Sequence, residues 1–134
     1  MSILFDSTMQ VLKRSMDASL ARQGVTASNV ANLDTPGYTP KDVDFDAALE
    51  SARADFASAP ARTNPGHLDG NASGYDGVDT YDSPDLAPGP DGNSVDLDTQ
   101  MSRMAETAVL YQASARGTSK KMALMRYVVS EGAV

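Results

Sequence analysis

The chain has 134 residues, of which 41% are hydrophobic and 6% aromatic, with no Trp. That is one domain's length, thin in material for a compact globular core and suited to helices that bury Leu, Met and Ala faces. A net charge of −7 and a pI near 4.4 argue against nucleic acid and anionic membrane surfaces as partners, and the absence of cysteine removes disulfides and thiolate metal sites.

No apolar run approaches the roughly 20 residues that cross a bilayer. Met1–Asp6 carries no basic stretch ahead of its short apolar run, so no cleaved signal peptide is expected. The chain is then either cytoplasmic or exported by a route that cleaves nothing.

Residues 3–33 predict an amphipathic helix. Phe5, Met9, Leu12, Met16, Ser19, Gln23, Thr26, Val30 and Leu33 follow an alternating spacing of four and three. Leu20 and Ala27 widen the stripe, and Gly24 marks a point where a helix would break or bend. Asp6, Ser7 or Thr8 is placed to cap the start.

The helix then meets Asn29-Val30-Ala31-Asn32-Leu33-Asp34-Thr35-Pro36-Gly37-Tyr38. Asn29 and Asn32 lie three apart and share one helix face. Pro36 lacks a backbone donor and pushes Thr35 toward extended geometry, which stops the helix. Gly37 after Pro36 fits a type II turn, whose third position takes a positive φ. Tyr38 brings a large amphipathic ring back into the chain.

Beyond Pro40, Val43, Phe45, Ala48, Leu49 and Ala52 can line one face of a short helix starting after Asp42 or Asp44, with Phe45 placed to dock the turn. Residues 57–92 hold Pro60, Pro65, Pro84, Pro88 and Pro90, most of the glycines, and no Lys or Arg beyond Arg62. Low hydrophobicity with negative charge there favours disorder or a loosely ordered surface loop.

The last segment is the clearest. Leu97, Met101, Met104, Ala108, Tyr111, Ala115, Thr118, Met122, Met125 and Val129 keep the same alternation throughout. Asn93 or Ser94 is a candidate cap, Asp96 and Asp98 suit the first turn, and Arg116, Lys120, Lys121 and Arg126 suit the C-terminal half. A helix of this length reaches roughly 50 Å and wants a partner, for which the N-terminal helix is the obvious choice. The expected fold is mainly α. The N-terminal helix (1–33), the signature turn with a short helix (34–56), a flexible acidic middle (57–92) and the C-terminal helix (93–134) follow in order. The two terminal helices pair as an antiparallel coiled coil beside identical or similar neighbours.

Chemistry is hard to find. His67, the single histidine, could pair with Asp69 in acid/base work, but no Ser or Cys motif accompanies it, and a loop-anchoring role fits better. Asp91–Asp98 offers oxygen ligands without the ligand order or terminal Glu of a calcium loop, so it reads as a turn followed by a helix cap. Met residues along both stripes suit core packing or adaptable partner contact. Phosphate loops and metalloprotease, hydrolase and redox motifs are all missing, so no catalysis, metal or cofactor is expected.

Ala27-Ser28-Asn29-Val30-Ala31-Asn32-Leu33-Asp34-Thr35-Pro36-Gly37-Tyr38 resembles the N-terminal signature of bacterial flagellar rod and hook proteins, A-x-N-[IV]-A-N-x-x-T-P-G-Y. Lys41–Phe45, Thr63–Leu68, Gly92–Asp98 and Met104–Ser114 resemble segments of its proximal-rod members. Thr107, Arg116-Gly117 and Gln100 depart from the family pattern, which commonly has Asn, an apolar pair and an acidic residue there; the seam is weakened at Arg116-Gly117 and a helix bend is expected.

The resemblance implies a structural subunit of the proximal rod of the flagellar basal body, in the periplasm, required for motility. It implies type III export without signal cleavage and assembly through terminal helices lining the export channel. Implied partners are other rod proteins, copies of itself, a basal-body adaptor, and MS-ring and export-gate proteins. In that reading Asn29, Asn32, Thr35, Pro36, Gly37, Tyr38 and Phe45 are assembly residues. Another short rod protein and a helical export adaptor or chaperone are the alternatives.

Overall fold

The computed structural model describes residues 7–58 and 78–131, with the backbone alone for 52–58 and 131. Phe5, Asp6 and the segment holding His67 lie outside the described residues. Five elements follow in order: α1 (Ser7–Ala31), β1 (Lys41–Val43), α2 (Phe45–Ser58), β2 (Thr80–Asp82) and α3 (Leu97–Glu131).

Helices α1 and α3 form the frame. Ser15 and Ser114 hydroxyls meet at 2.8 Å, and Asn29 Nδ2 donates to Gln100 Oε1 at 3.0 Å. Leu12 Cδ2 lies 3.3 Å from where a Cβ on Gly117 would stand. Moving up α1 through these pairs means moving down α3, so the helices run antiparallel. Both are continuous, α1 through Gly24 and α3 through Gly117. The break or bend expected at each glycine is not a gap in the helix. At Gly117 the missing side chain makes room for Leu12 instead.

The face that α3 turns toward α1 is not its apolar stripe. Gln100, Thr107 and Ser114 are its buried residues, each one position ahead of Met101, Ala108 and Ala115. Of the stripe, Leu97, Met101, Ala108, Tyr111, Met122 and Val129 are exposed, and Met104, Ala115, Thr118 and Met125 are half-buried. Along the N-terminal stripe, Met9, Ser19 and Thr26 are buried, Leu12, Met16, Val30 and, just past the end of α1, Leu33 half-buried, and Gln23 exposed. The expectation that α3 lays its Met-rich stripe on α1 is therefore corrected: the contact face is rotated by one residue.

Hydroxyls make this polar seam tolerable. Ser19 Oγ donates to Ser15 O at 2.7 Å, Thr107 Oγ1 to Arg103 O at 2.7 Å, and Thr118 Oγ1 to Ser114 O at 2.9 Å. Each hydroxyl spends its hydrogen on its own helix four residues back. What it then shows the partner helix is small and mostly carbon, and the two backbones approach closely.

The other side of α1 carries a small apolar core of Ala18, Ala21, Val43, Ala48 and Val78, with Val25 and Phe45 packed against it. Helix α2 starts where the sequence expects, because Asp44 Oδ1 accepts the Ala47 N–H at 2.9 Å as an N-cap. Arg14 ties α1 to α2 through Ala48 O at 3.4 Å.

Part of the acidic middle takes regular structure. Strand β2 pairs antiparallel with β1, Asp42 opposite Tyr81, and the ladder is extended by Ser83 N–H to Pro40 O at 2.8 Å and Asp44 N–H to Asp79 O at 3.3 Å. Neither strand is long enough to show alternation in sequence. Among the described residues no helix is long and apolar enough to cross a membrane.

Candidate functional site

The signature stretch is where α1, the small sheet and the start of α3 meet. Helix α1 ends as its residues dictate. Asn32 N–H reaches both Ser28 O and Asn29 O at 3.1 Å, and Thr35 N–H closes on Asn32 O at 3.0 Å. The Thr35-Pro36-Gly37-Tyr38 turn is closed by Tyr38 N–H to Thr35 O at 3.3 Å. Gly37 holds a φ of 72°, the positive value that the third position of a type II turn requires.

A Cβ on Gly37 would have nothing within 4 Å, so a substitution there acts on the backbone alone. Gly37→Ala is expected to lower stability by about 1 kcal/mol, the cost of holding an L-residue left-handed, with β-branched Val costing more. Urea melts of the two variants check this; equal stability of Gly37→Val and the wild type would refute it.

Asn29 is buried and uses every polar atom of its side chain. Its Nδ2 donates to Lys41 O at 2.7 Å and to Gln100 Oε1 at 3.0 Å. Its Oδ1 accepts from Lys41 N–H at 3.0 Å and from the Tyr38 hydroxyl at 3.1 Å. One side chain thus joins α1, the open edge of β1, the turn and α3. Asn32 does something more local: its Nδ2 donates to Ser28 O at 2.8 Å, and its Oδ1 accepts from the Thr35 hydroxyl at 3.2 Å. Pro36 is exposed, and Phe45 is half-buried against the core.

The sequence offers Asn93 or Ser94 as the cap of α3, and neither side chain takes that role. Asn93 Nδ2 instead donates to Leu33 O at 2.6 Å, Thr35 O at 2.9 Å and Asn32 O at 3.3 Å, which satisfies the open carbonyls where α1 ends. Ser94 is buried, and its carbonyl accepts from Asp85 N–H at 3.0 Å. The cap of α3 is Asp96, whose Oδ2 accepts the Thr99 hydroxyl at 2.7 Å and whose Oδ1 accepts Asp98 N–H at 3.3 Å. The Thr99 hydroxyl holds the half-buried Asp96 carboxyl below its ordinary range.

A charged cluster lies behind the turn. Arg22 grips Asp42 with two bonds, Nε to Oδ1 at 2.7 Å and Nη2 to Oδ2 at 2.9 Å. Arg103 stands 3.7 Å from Asp42 and 2.9 Å from Asp85 Oδ1; the latter contact is an ion pair without hydrogen-bond alignment. Asp85 Oδ2 accepts from Gln100 Nε2 at 2.8 Å and Asp96 N–H at 3.0 Å. Gln100 therefore donates to a carboxylate and accepts from Asn29. An acidic residue at this position would set a second negative charge against Asp85.

Burial alone pushes the Asp42 carboxyl upward, but the Arg22 hydrogen bonds, the Val43 N–H and the two guanidinium charges outweigh it and hold it below its ordinary 3.8. Between its folded and unfolded values the unfolded chain binds more protons. Stability from Asp42 is complete above the unfolded value and lost as pH falls through the folded one. Acid titration of helicity is expected to show loss beginning below about pH 4, and Asp42→Asn should flatten that limb. An unchanged limb in the variant would remove Asp42 as its source.

None of these groups forms a nucleophile–base pair: each carboxylate of the cluster faces a guanidinium, and the Tyr38 hydroxyl donates to an amide. Among the described residues no three His, Cys, Asp or Glu come together to hold a metal. The site is a latch of amides and ion pairs. Its sequence-visible half is the turn. In its other half, Asn93 and Asp42 stand out in sequence only as capping residues and Gln100 only as a departure from the family pattern, while the pairing of Arg22, Asp42, Asp85, Asn93, Gln100 and Arg103 has no local signal.

The N-terminal part of the latch lies in a stretch that resembles known proteins. A family model described as flagella basal body rod protein matches residues 9–39. Over the whole chain, the flagellar basal body rod protein FlgB of Escherichia coli (strain K12) is 30% identical across 133 residues, covering 95% of this chain and 96% of that one. FlgB of Bacillus subtilis (strain 168) is 32% identical, covering 96% and 98%. FlgB of Aeromonas hydrophila is 30% identical, covering 91% and 92%.

Proposed function

Because the chain belongs to the FlgB family of flagellar basal body rod proteins, we propose that it builds the proximal rod as a non-catalytic subunit, delivered by the flagellar type III system and needed for motility. In this reading it sits in the periplasm. Its neighbours are other rod proteins, copies of itself, a basal-body adaptor, and the MS-ring and export-gate proteins. Asn29, Asn32, Thr35, Pro36, Gly37, Tyr38 and Phe45 set the junction where α1 leaves the helical layer, and the stripe on α3 meets neighbouring helices.

The observation that carries this is the uncovered stripe. Met101 is 53% exposed, Met122 48% and Val129 74%, on a helix of 35 residues. A run of that length with a one-sided apolar seam is stable when other helices bury it. The intrachain contact to α1 uses the polar seam, so the stripe remains available to neighbours. An exported chain also gains from a hairpin held by small and polar contacts, which is easily unfolded.

The experiment is recovery of the tagged chain. It should copurify with isolated basal bodies, and its deletion should abolish rods and swimming. Met101→Glu with Met122→Glu should leave the free chain folded but absent from basal bodies. Recovery in the cytoplasm alone would overturn the proposal in favour of a helical export adaptor.

A further inference from the structure

Charge is segregated along the helix pair. At the latch end Asp34, Asp44, Asp46, Asp79, Asp82 and Asp91 are exposed, and Lys41 is the exposed cation of that end among the described residues. At the other end the last stretch of α3 carries Arg116, Lys120, Lys121 and Arg126 against one acid in sequence, Glu131. Large apolar groups stand among those cations: Leu124 is 65% exposed and Tyr127 57%.

A cleft of about 370 Å³ opens between α1, α3, β2 and the start of α2. Val43, Phe45, Tyr81 and Leu110 give it apolar walls, and Asp44, Asp46 and Glu106 an acidic rim. Arg22 also lines it, but that guanidinium is held by Asp42 through two bonds. The cleft therefore suits long cationic side chains, stems against the walls and heads at the carboxylates and the Tyr81 ring.

We propose that this cleft receives the basic C-terminal part of α3, from about Arg116 to Arg126, of a second copy of the chain. The charges are complementary, and the donor segment mixes apolar and cationic side chains as the cleft mixes apolar walls and acids. The occupant has to come from another molecule. Helix α3 is continuous, which keeps Arg126 about 24 Å along the axis from Leu110 in its own chain. A cleft on one part of the subunit and its occupant on another can be satisfied reciprocally in a two-fold dimer or head to tail in a row, and charge-neutralised variants reveal the contact in either case. The inference rests on the assembly reading and adds the surface through which successive copies meet.

Sedimentation velocity of the full chain provides the test. The wild type should associate in about 20 mM salt and dissociate in about 500 mM, where the Debye length has shrunk to a few ångström. Asp46→Asn with Glu106→Gln removes the rim, and Lys120→Gln with Arg126→Gln removes the donor charges. All four side chains are exposed and the capping Asp44 is kept, so circular dichroism should be unchanged. Each double variant alone should stay monomeric at low salt. Mixed, they should give a one-to-one dimer and nothing longer, since one intact cleft and one intact donor remain. A wild type that stays monomeric at low salt, or a mixture that forms no dimer, overturns the proposal. Either result leaves recovery from basal bodies untouched, so the two readings fail separately.

Discussion

Asn29→Ala should lower the stability of the folded chain by about 3 kcal/mol, a large share of what a domain of this size has. The substitution removes four hydrogen bonds at once, two to Lys41 and one each to Gln100 and Tyr38. The Tyr38 hydroxyl can turn to water, but Gln100 is fully buried, and its Oε1 loses its partner. An unsatisfied buried acceptor costs more than the bond it once made. Asn32→Ala is the control three residues along, since its bonds reach only Ser28 and Thr35 and should be worth under about 1 kcal/mol. Urea midpoints compared across the pair decide the matter. Equal midpoints would mean that Asn29 is not the joint between α1, β1 and α3.

Asp42→Asn should be of similar size, about 3 kcal/mol, because it strips the charge from a carboxylate that two arginines face. The Arg22 and Asp42 side chains are only 16% and 6% exposed, so solvent cannot replace the lost partner. Arg22→Met alone should be comparably harmful, leaving Asp42 with the more distant Arg103 at 3.7 Å. The double variant should recover part of the loss, since removing both charges leaves no isolated ion. Additive losses in the double variant would sink the idea that the two charges depend on each other. The Asp42→Asn variant should also reduce assembly, because this pair holds α1 to β1 immediately beside the signature turn.

Local rules read a good deal of this molecule correctly. Alternating spacing of four and three placed α1 and α3, and Asp44 marked the start of α2. Pro36 and Gly37 fitted one kind of turn, and φ at Gly37 is positive. These outcomes rest on backbone sterics and on capping within four residues, where the side chain that decides lies next to the backbone it acts on. The same reasoning erred where two local roles compete for one residue. Asn93 can cap α3 or reach back to α1, and the chain uses it for α1 while Asp96 takes α3.

Local residue chemistry is enough to place the two long helices and the exit from α1, and to show that no recognisable catalytic motif is present. Which face of α3 meets α1 is settled by long-range packing. Hydropathy ranks Met101 above Gln100, yet Gln100 goes inside, because Asn29 and Asp85 meet it there with matched hydrogen-bonding groups. That preference depends on a partner 71 positions away in the chain, and no window of neighbouring residues contains it. The apolar stripe is legible as a stripe in sequence. Its direction, outward and away from α1, follows from pairing between distant polar side chains whose bonds form only once the helices are side by side.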